Sequence, residues 1–250
     1  MTPPSLPEIA ATVWATWPGE AVTATPAFAL RRSADDSRRS RAATRNRPAS
    51  DAEIADAAET MRGWGQPAMF WVPSDQADFG AQLAALGYAD HDHSVYYGAP
   101  VEVLAVRTPP RTATFEIWEP LAIMADIWAA TGTSRARQEV MARATCAKTA
   151  ILGRVDNAPG GAAYVGAHGG VAMVHAVGTL PQHRRKGLGA QMMAQAAIWA
   201  ARQGATWITL AVGAGNAPAR ALYASLGMAP VGEYHYRTLP ETGRREAHDG

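Results

Sequence analysis

The stretch Gly178-Thr179-Leu180-Pro181-Gln182-His183-Arg184-Arg185-Lys186-Gly187-Leu188-Gly189-Ala190 decides how this chain reads, because it joins a strand to a helix through a basic, glycine-rich turn. The apolar residues 171–177 before it predict a buried strand. After it, Leu188, Met192, Ala196 and Trp199 recur at helical spacing, and Gly204 stands just past Arg202 as a stop. The first N–H groups of such a helix have no intrahelical acceptor and lie at the positive end of its dipole, which makes an anion site. Gly187 and Gly189 allow an anion close to the backbone, while Arg184, Arg185 and Lys186 add mobile positive charge. The alternative is an ordinary strand-to-helix connection with solvated cations. No Gly-x-x-x-x-Gly-Lys-Ser/Thr occurs and no Gly-x-Gly-x-x-Gly opens a βαβ unit here, which disfavours a nucleotide triphosphatase and a Rossmann dehydrogenase.

Downstream, residues 207–212 predict a second buried strand. A helix follows from Asn216, a natural N-cap, to Gly227, its stop. Leu222 and Leu226 face the core, which turns Tyr223 toward the edge of that face. Residues 231–237 predict the next strand. Upstream, strands are expected at 101–106, 149–155, 162–166 and 171–177, the last three separated by turns at 157–161 and 168–170 as an antiparallel meander. Helices are expected at about 120–130 and 134–145.

Over about residues 101–237 the chain resembles the GNAT superfamily of acyl-CoA N-acyltransferases. That family's Gln/Arg-x-x-Gly-x-Gly/Ala signature matches Arg184-Arg185-Lys186-Gly187-Leu188-Gly189. Its downstream Asn…Leu-Tyr…Leu-Gly-Met/Phe pattern matches Asn216, Leu222-Tyr223 and Leu226-Gly227-Met228. The resemblance implies an α/β fold (α+β type) with a mixed, mostly antiparallel sheet flanked by helices. It implies that Val177, Gly178 and Thr179 present backbone groups to a pantetheine arm, that Arg184 to Ala190 hold the diphosphate, and that Asn216 contacts CoA. It further implies that Tyr223 protonates the departing thiolate, for which a phenol is suited; the alternative is a tyrosine packed at a helix–sheet seam. The implied activity is transfer of an acetyl group from acetyl-CoA to a primary amine, with no metal.

Where some relatives carry a glutamate on the strand before the turn, this chain has Met173. His175, two residues along and expected to share a face with Met173 and Val177, is the candidate base, with a structural histidine as the other reading. Cys146 has no motif around it, so direct transfer in a ternary complex is expected rather than an acyl-cysteine.

Composition sets the outer bounds. The 250 residues are 48% hydrophobic with a formal net charge of +1, enough for a sizeable core and without a global field for nucleic acid or an anionic membrane. One cysteine excludes an internal disulfide and fits a reducing, cytoplasmic compartment. No run approaches a membrane-spanning length. Residues 31–47 hold seven arginines against Asp35 and Asp36, with no aromatic residue between Leu30 and Met61, so a solvated loop or exposed hairpin face is expected there rather than a nucleic-acid surface.

Residues 1–98 are expected as a first domain and 99–250 as a second. In the first, a helix is expected at 51–61, a strand at 68–72, a helix at 75–86 and a strand at 94–97. Ala68 to Tyr97 aligns without a gap onto Ile208 to Arg237, with Leu83 standing where Tyr223 should be. The expectation is a tandem chain whose degenerate first half binds no CoA, walls the acceptor cleft and chooses the amine. A non-catalytic CoA-binding regulator and a nucleic-acid-associated protein are the alternatives. Neither the acceptor amine nor the oligomeric state is legible.

Overall fold

A computed structural model of the chain describes residues 1–239. The first half comprises α1 (Leu6–Thr16), β1 (Ala21–Ala24), β2 (Phe28–Arg32), α2 (Arg38–Arg41), β3 (Thr44–Arg45), α3 (Asp51–Gly63), β4 (Met69–Pro73), α4 (Ala77–Ala85) and β5 (Ala89–Pro100). Three helices and a strand follow: α5 (Val101–Ala105), β6 (Thr114–Ile117), α6 (Ala122–Ala130) and α7 (Arg135–Arg143). The second half then runs β7 (Ala147–Val155), β8 (Ala158–His168), β9 (Val171–Thr179), α8 (Leu188–Arg202), β10 (Trp207–Gly213), α9 (Ala217–Ser225) and β11 (Ala229–Thr238). Among the described residues no helix is long and apolar enough to cross a membrane.

Local chemistry accounts for the main elements. Ser50 and Glu53 form a reciprocal capping box that starts α3, and Ile54, Ala57, Ala58 and Met61 form its buried stripe. Eight residues of α8 are buried, from Leu188 to Ala200, because this helix packs on the central sheet. All five residues of β4, Met-Phe-Trp-Val-Pro, are buried, and it reads as a continuous apolar run for that reason.

Apart from the short helix α2 between β2 and β3, the sequence of strand, strand, strand, helix, strand, helix, strand occurs twice. In the second half β7, β8 and β9 form an antiparallel meander, and β9 pairs in parallel with β10. In the first half β1, β2 and β3 form a smaller meander, and an isolated parallel bridge links Ala43 to Phe70 of β4. α4 and α9 start and end 140 residues apart, as do the starts of β5 and β11. The repeat is therefore carried by the backbone as well as the sequence.

Apart from the three-stranded sheet β1-β2-β3, the strands of the two halves share one sheet. One eight-stranded sheet has the order β4-β11-β5-β10-β9-β8-β7-β6, so β5 lies between β10 and β11, and β11 lies between β4 and β5. The register is close to twofold symmetric: Leu210 pairs with Tyr97 and Arg237 with Phe70, while Ser94 pairs with Tyr234 at the centre. Each half has exchanged its last strand with the other.

Several expectations shift. Residues 101–106 are mostly helix, not strand, because Pro100 ends β5 and Val101 and Leu104 turn into the core against α8. β5 extends past the boundary expected at Gly98, held by the pairing of Trp207 with Pro100. The expected turn at 157–161 tightens to Asp156 and Asn157, both at positive φ, and residues 158–161 join β8.

Because both neighbours of β11 come from the first half, a fragment of residues 101–250 leaves β11 without a partner and exposes one edge of β10. We expect that fragment to show no cooperative thermal transition by circular dichroism, whereas the whole chain melts cooperatively.

Candidate active site

β9 and β10 pair only from Val171 and Trp207 to Val174 and Leu210. Beyond that point both strands continue, β9 to Thr179 and β10 to Gly213, without pairing to each other. A bulge drives them apart: opposite β8 the register slips between Ala162 and Tyr164, and Ala176 takes a left-handed φ of 50°. The Trp128 indole of α6 donates to the Ala176 carbonyl at 2.9 Å and fixes the bulge. Gly178 is required beside it, since a Cβ there would lie 2.2 Å from the Thr131 hydroxyl. One edge of Gly178 and Thr179 pairs with Ala162 and Gly161 of β8, and the other edge faces the opening.

The chain then turns into α8, whose N-cap is Gly187 at φ 79° with no side-chain cap. A Cβ at Gly187 would meet nothing within 4 Å, so no neighbouring group crowds the cap position. Residues 184–187 are exposed. The Arg184 Nε donates to the Thr179 carbonyl at 3.2 Å, and the Lys186 Nζ pairs with Asp156 at 2.8 Å. The corresponding helix of the first half is closed. At the start of α3 the Ser50 hydroxyl accepts from the Glu53 N–H at 3.3 Å, and the Glu53 carboxylate accepts from the Ser50 N–H at 2.9 Å. An anion is already seated there, and it would repel a second.

A cavity of about 620 Å³ lies at the mouth of the opening. Its walls include Ala176 of β9, Asn216 beyond β10 and Tyr234 of β11, and Trp17 and Arg39 from the first half. His175 lies beneath this wall, 3% exposed, with its ring 4.9 Å from that of Trp17. A guanidinium only donates, so His175 Nδ1 accepts from the Arg39 Nη1 at 3.0 Å. The Nε2–H then donates to the Thr16 hydroxyl at 2.8 Å, which in turn donates to the Thr12 carbonyl at 2.7 Å. Burial and the adjacent Arg39 charge hold the imidazole well below its usual range.

Tyr223 of α9 is buried, with its ring 6.1 Å from that of Tyr97. Burial pushes its phenol up to about 12. The residue keeps 7% of its surface exposed, whereas the Tyr164 hydroxyl is buried without a partner.

Residues 122–228 match the sequence profile of the acetyltransferase (GNAT) family. The chain carries a GNAT acetyltransferase domain. The fold is similar to that of a GCN5-related N-acetyltransferase from Kribbella flavida, at 22% identity and a TM-score of 0.72 over 93% of this chain and 94% of the other. It is similar to a tandem GNAT protein from the clavulanic acid biosynthesis pathway, at 18% identity and a TM-score of 0.60 over 95% and 88%. A GNAT-family protein from Novosphingobium aromaticivorans aligns at 18% identity and a TM-score of 0.58 over 92% and 97%. Comparison with curated proteins gives no match.

Within the GNAT domain the structure brings Val177, Gly178 and Thr179 to the opening and sets the exposed residues Arg184 to Gly187 beside the uncapped helix. Asn216 caps α9, accepting from the Ala219 N–H at 3.2 Å, and lines the cavity. Leu188 is a core side chain, so only its backbone is available to a ligand. Gly189 faces α9, where a Cβ would lie 3.1 Å from the Leu222 Cδ2, so a larger residue there would push that side chain aside.

Two expectations are corrected. Val177 does not share a face with His175, because the bulge at Ala176 breaks the alternation and sends Val177 to the α8 side. The structure places His175 with its lone pair engaged by Arg39 and its other nitrogen carrying the hydrogen given to Thr16, so neither ring nitrogen is free to accept a proton in this arrangement. Residues 31–47 are likewise no solvated loop: Arg31 is 6% exposed, stacks 3.9 Å from the Trp14 ring centre, and is lowered to about 10 by burial. No motif marks Thr16, Trp17, Arg39 or Tyr234 as site residues. The only signal is the arginine excess between residues 31 and 47.

A histidine kept neutral in the fold but free to protonate when unfolded gives stability that is complete above its unfolded value of about 6.5 and lost as the pH falls below it. We therefore expect thermal stability to drop between pH 7 and pH 5. His175→Phe, although less stable overall, should show a shallower drop by up to about 1.4 kcal/mol per pH unit.

Proposed function

We propose that the chain transfers an acetyl group from acetyl-CoA to a primary amine, directly and within a ternary complex. The observation that carries this reading is the open, uncapped N-terminus of α8 at the end of the parted strand β9, set against the self-capped α3 of the first half. A diphosphate fits the first and is repelled from the second. The backbone of Val177 to Thr179 would hold the pantetheine arm, the turn from Arg184 to Ala190 the diphosphate, and Asn216 the edge of the cavity. Acetyl-CoA supplies the activated acyl group.

The remaining steps belong to the protein. The cavity holds the acceptor amine beside the opening, and its ammonium proton leaves to solvent. Tyr223 stays protonated at neutral pH and donates that proton to the departing sulfur as the new C–N bond forms. The attacking nitrogen releases its second proton to solvent as the C–S bond breaks and the amide forms, and Tyr223 recovers a proton from solvent. Cys146 takes no part, since burial pushes its thiol up and away from a reactive thiolate. On this reading the first half is a degenerate GNAT-like unit that binds no CoA, completes the sheet and walls the cavity.

Tyr223→Phe should lower kcat by roughly 10²-fold and leave acetyl-CoA affinity within about twofold. An unchanged rate, in an assay where chemistry limits turnover, would assign Tyr223 to packing alone. Calorimetry should find one acetyl-CoA per chain. Gly187→Ala, which forces a Cβ into a left-handed backbone, should weaken that binding about tenfold or more at a stability cost of about 1 kcal/mol. Two sites per chain, or unaltered binding by the variant, would remove the turn at Gly187 from the cofactor site.

A further inference from the structure

Arg39, like Arg32, Arg41 and Arg62 of its half, makes no ion pair among the described residues, but of these four it alone lines the cavity, and the remaining cations are engaged. Arg38 pairs with Asp92 at 2.6 Å, Arg45 with Asp78 at 2.7 Å and Arg47 with Glu53 at 2.6 Å. Arg31 is satisfied by the Ala29 and Ala42 carbonyls and the Thr44 hydroxyl. Arg39 is half-buried, yet no carboxylate among the described residues lies within 4.0 Å of it. Its bond to His175 at 3.0 Å uses one of five guanidinium N–H donors.

The position is built rather than incidental. α2, which carries Arg39, is anchored by Asp35, 2% exposed, whose carboxylate accepts from the Ser37 N–H at 2.7 Å, the Ser40 hydroxyl at 2.6 Å and the Ser33 hydroxyl. The Trp17 ring centre lies 5.7 Å from the guanidinium and His175 meets its Nη1, so the fork is held at the cavity wall. Burial works against its charge and the phenols of Tyr234, Tyr236 and Tyr96 favour it, so the guanidinium stays protonated. A desolvated cation without a counter-charge is costly, and a bound anion removes that cost.

The sign and size of the charge narrow the ligand. The other two arginines lining the cavity are neutralised, Arg38 by Asp92 and Arg137 by Asp36 at 3.0 Å. One uncompensated positive charge remains, on a planar fork suited to a carboxylate. A cavity of about 620 Å³ suits a small molecule.

We propose that the acceptor is an amino carboxylate, whose carboxylate is held by the guanidinium of Arg39 while its amine faces the opening between β9 and β10. This rests on the acyl-transfer reading above. Arg39 is a specificity-determining residue, and His175 positions it by holding Nη1 through a neutral ring.

The test follows CoA thiol release with the full chain over α-, β- and γ-amino acids, each paired with its carboxamide. The wild-type protein should prefer the carboxylate by about 100-fold or more in kcat/KM, as expected for a desolvated charge pair. In Arg39→Gln that preference should fall below about fivefold, with Arg39→Lys intermediate, while acetyl-CoA affinity measured by calorimetry shows that both variants are folded. A wild-type protein that binds acetyl-CoA but accepts carboxamides as well as acids overturns the proposal and leaves the acyl-transfer reading standing. So does a carboxylate preference that survives Arg39→Gln, or the absence of both turnover and calorimetric binding for every amino acid tested. Failure of the wild-type protein to bind acetyl-CoA overturns the acyl-transfer reading itself, and this proposal with it.

Discussion

The pairing of β11 with two strands of the first half is the constraint on which the rest of the structure depends. In a sheet ordered β4-β11-β5-β10, neither half can finish its own sheet without the other's last strand. Backbone hydrogen bonds are costly to leave unmade in a core, so this exchange ties the two halves more firmly than a contact between finished domains would. The centre of the exchange, where Ser94 meets Tyr234, also lies on the cavity wall. The element that joins the halves therefore shapes the site, and the first half has no separate position from which to act.

A second constraint is the bulge at Ala176. It separates β9 from β10 on one side, and by breaking the alternation it leaves His175 facing α1 while Val177 turns toward α8. The Trp128 indole and the Thr131 side chain hold this geometry from α6, which connects the helices ahead of the meander to the opening. A single residue of backbone irregularity thus provides both the gap and the buried imidazole that supports Arg39.

Much of the second half was legible because its signals are local. The stop at Gly204, the cap at Asn216 and the helical stripe from Leu188 to Trp199 each depend on neighbours in sequence, and α8 and α9 lie where those signals put them. The repeat at a spacing of 140 residues was legible for the same reason. The exchange of β5 and β11 was not, since alternation along a strand says which face is buried and nothing about which strand lies beside it. Residues 101–106 show the cost of judging a short apolar run by composition: Pro100 ends one element and tertiary packing against α8 makes the next a helix. His175 was found by spacing, but its role depended on Arg39, 136 residues away, and no local pattern carries that information.

The two halves handle anions in opposite ways, and this explains why a duplicated fold would keep both. α8 leaves its N-terminus bare, with Gly187 in place of a capping side chain, and so keeps a seat for negative charge from outside. α3 fills the same seat with its own Glu53, and gains helix stability where it forgoes a ligand. Relieved of that task, the segment before α3 is free to fold around a buried carboxylate, Asp35, and to project Arg39 into the neighbour's cavity. One positive site is made of backbone dipoles and exposed cations, suited to a flexible, highly charged diphosphate. The other is a single guanidinium held by an imidazole and an indole, suited to a small ligand in one orientation. On the proposed reading, the fold separates a general anion site from a selective one by using each half of the repeat for only one of them.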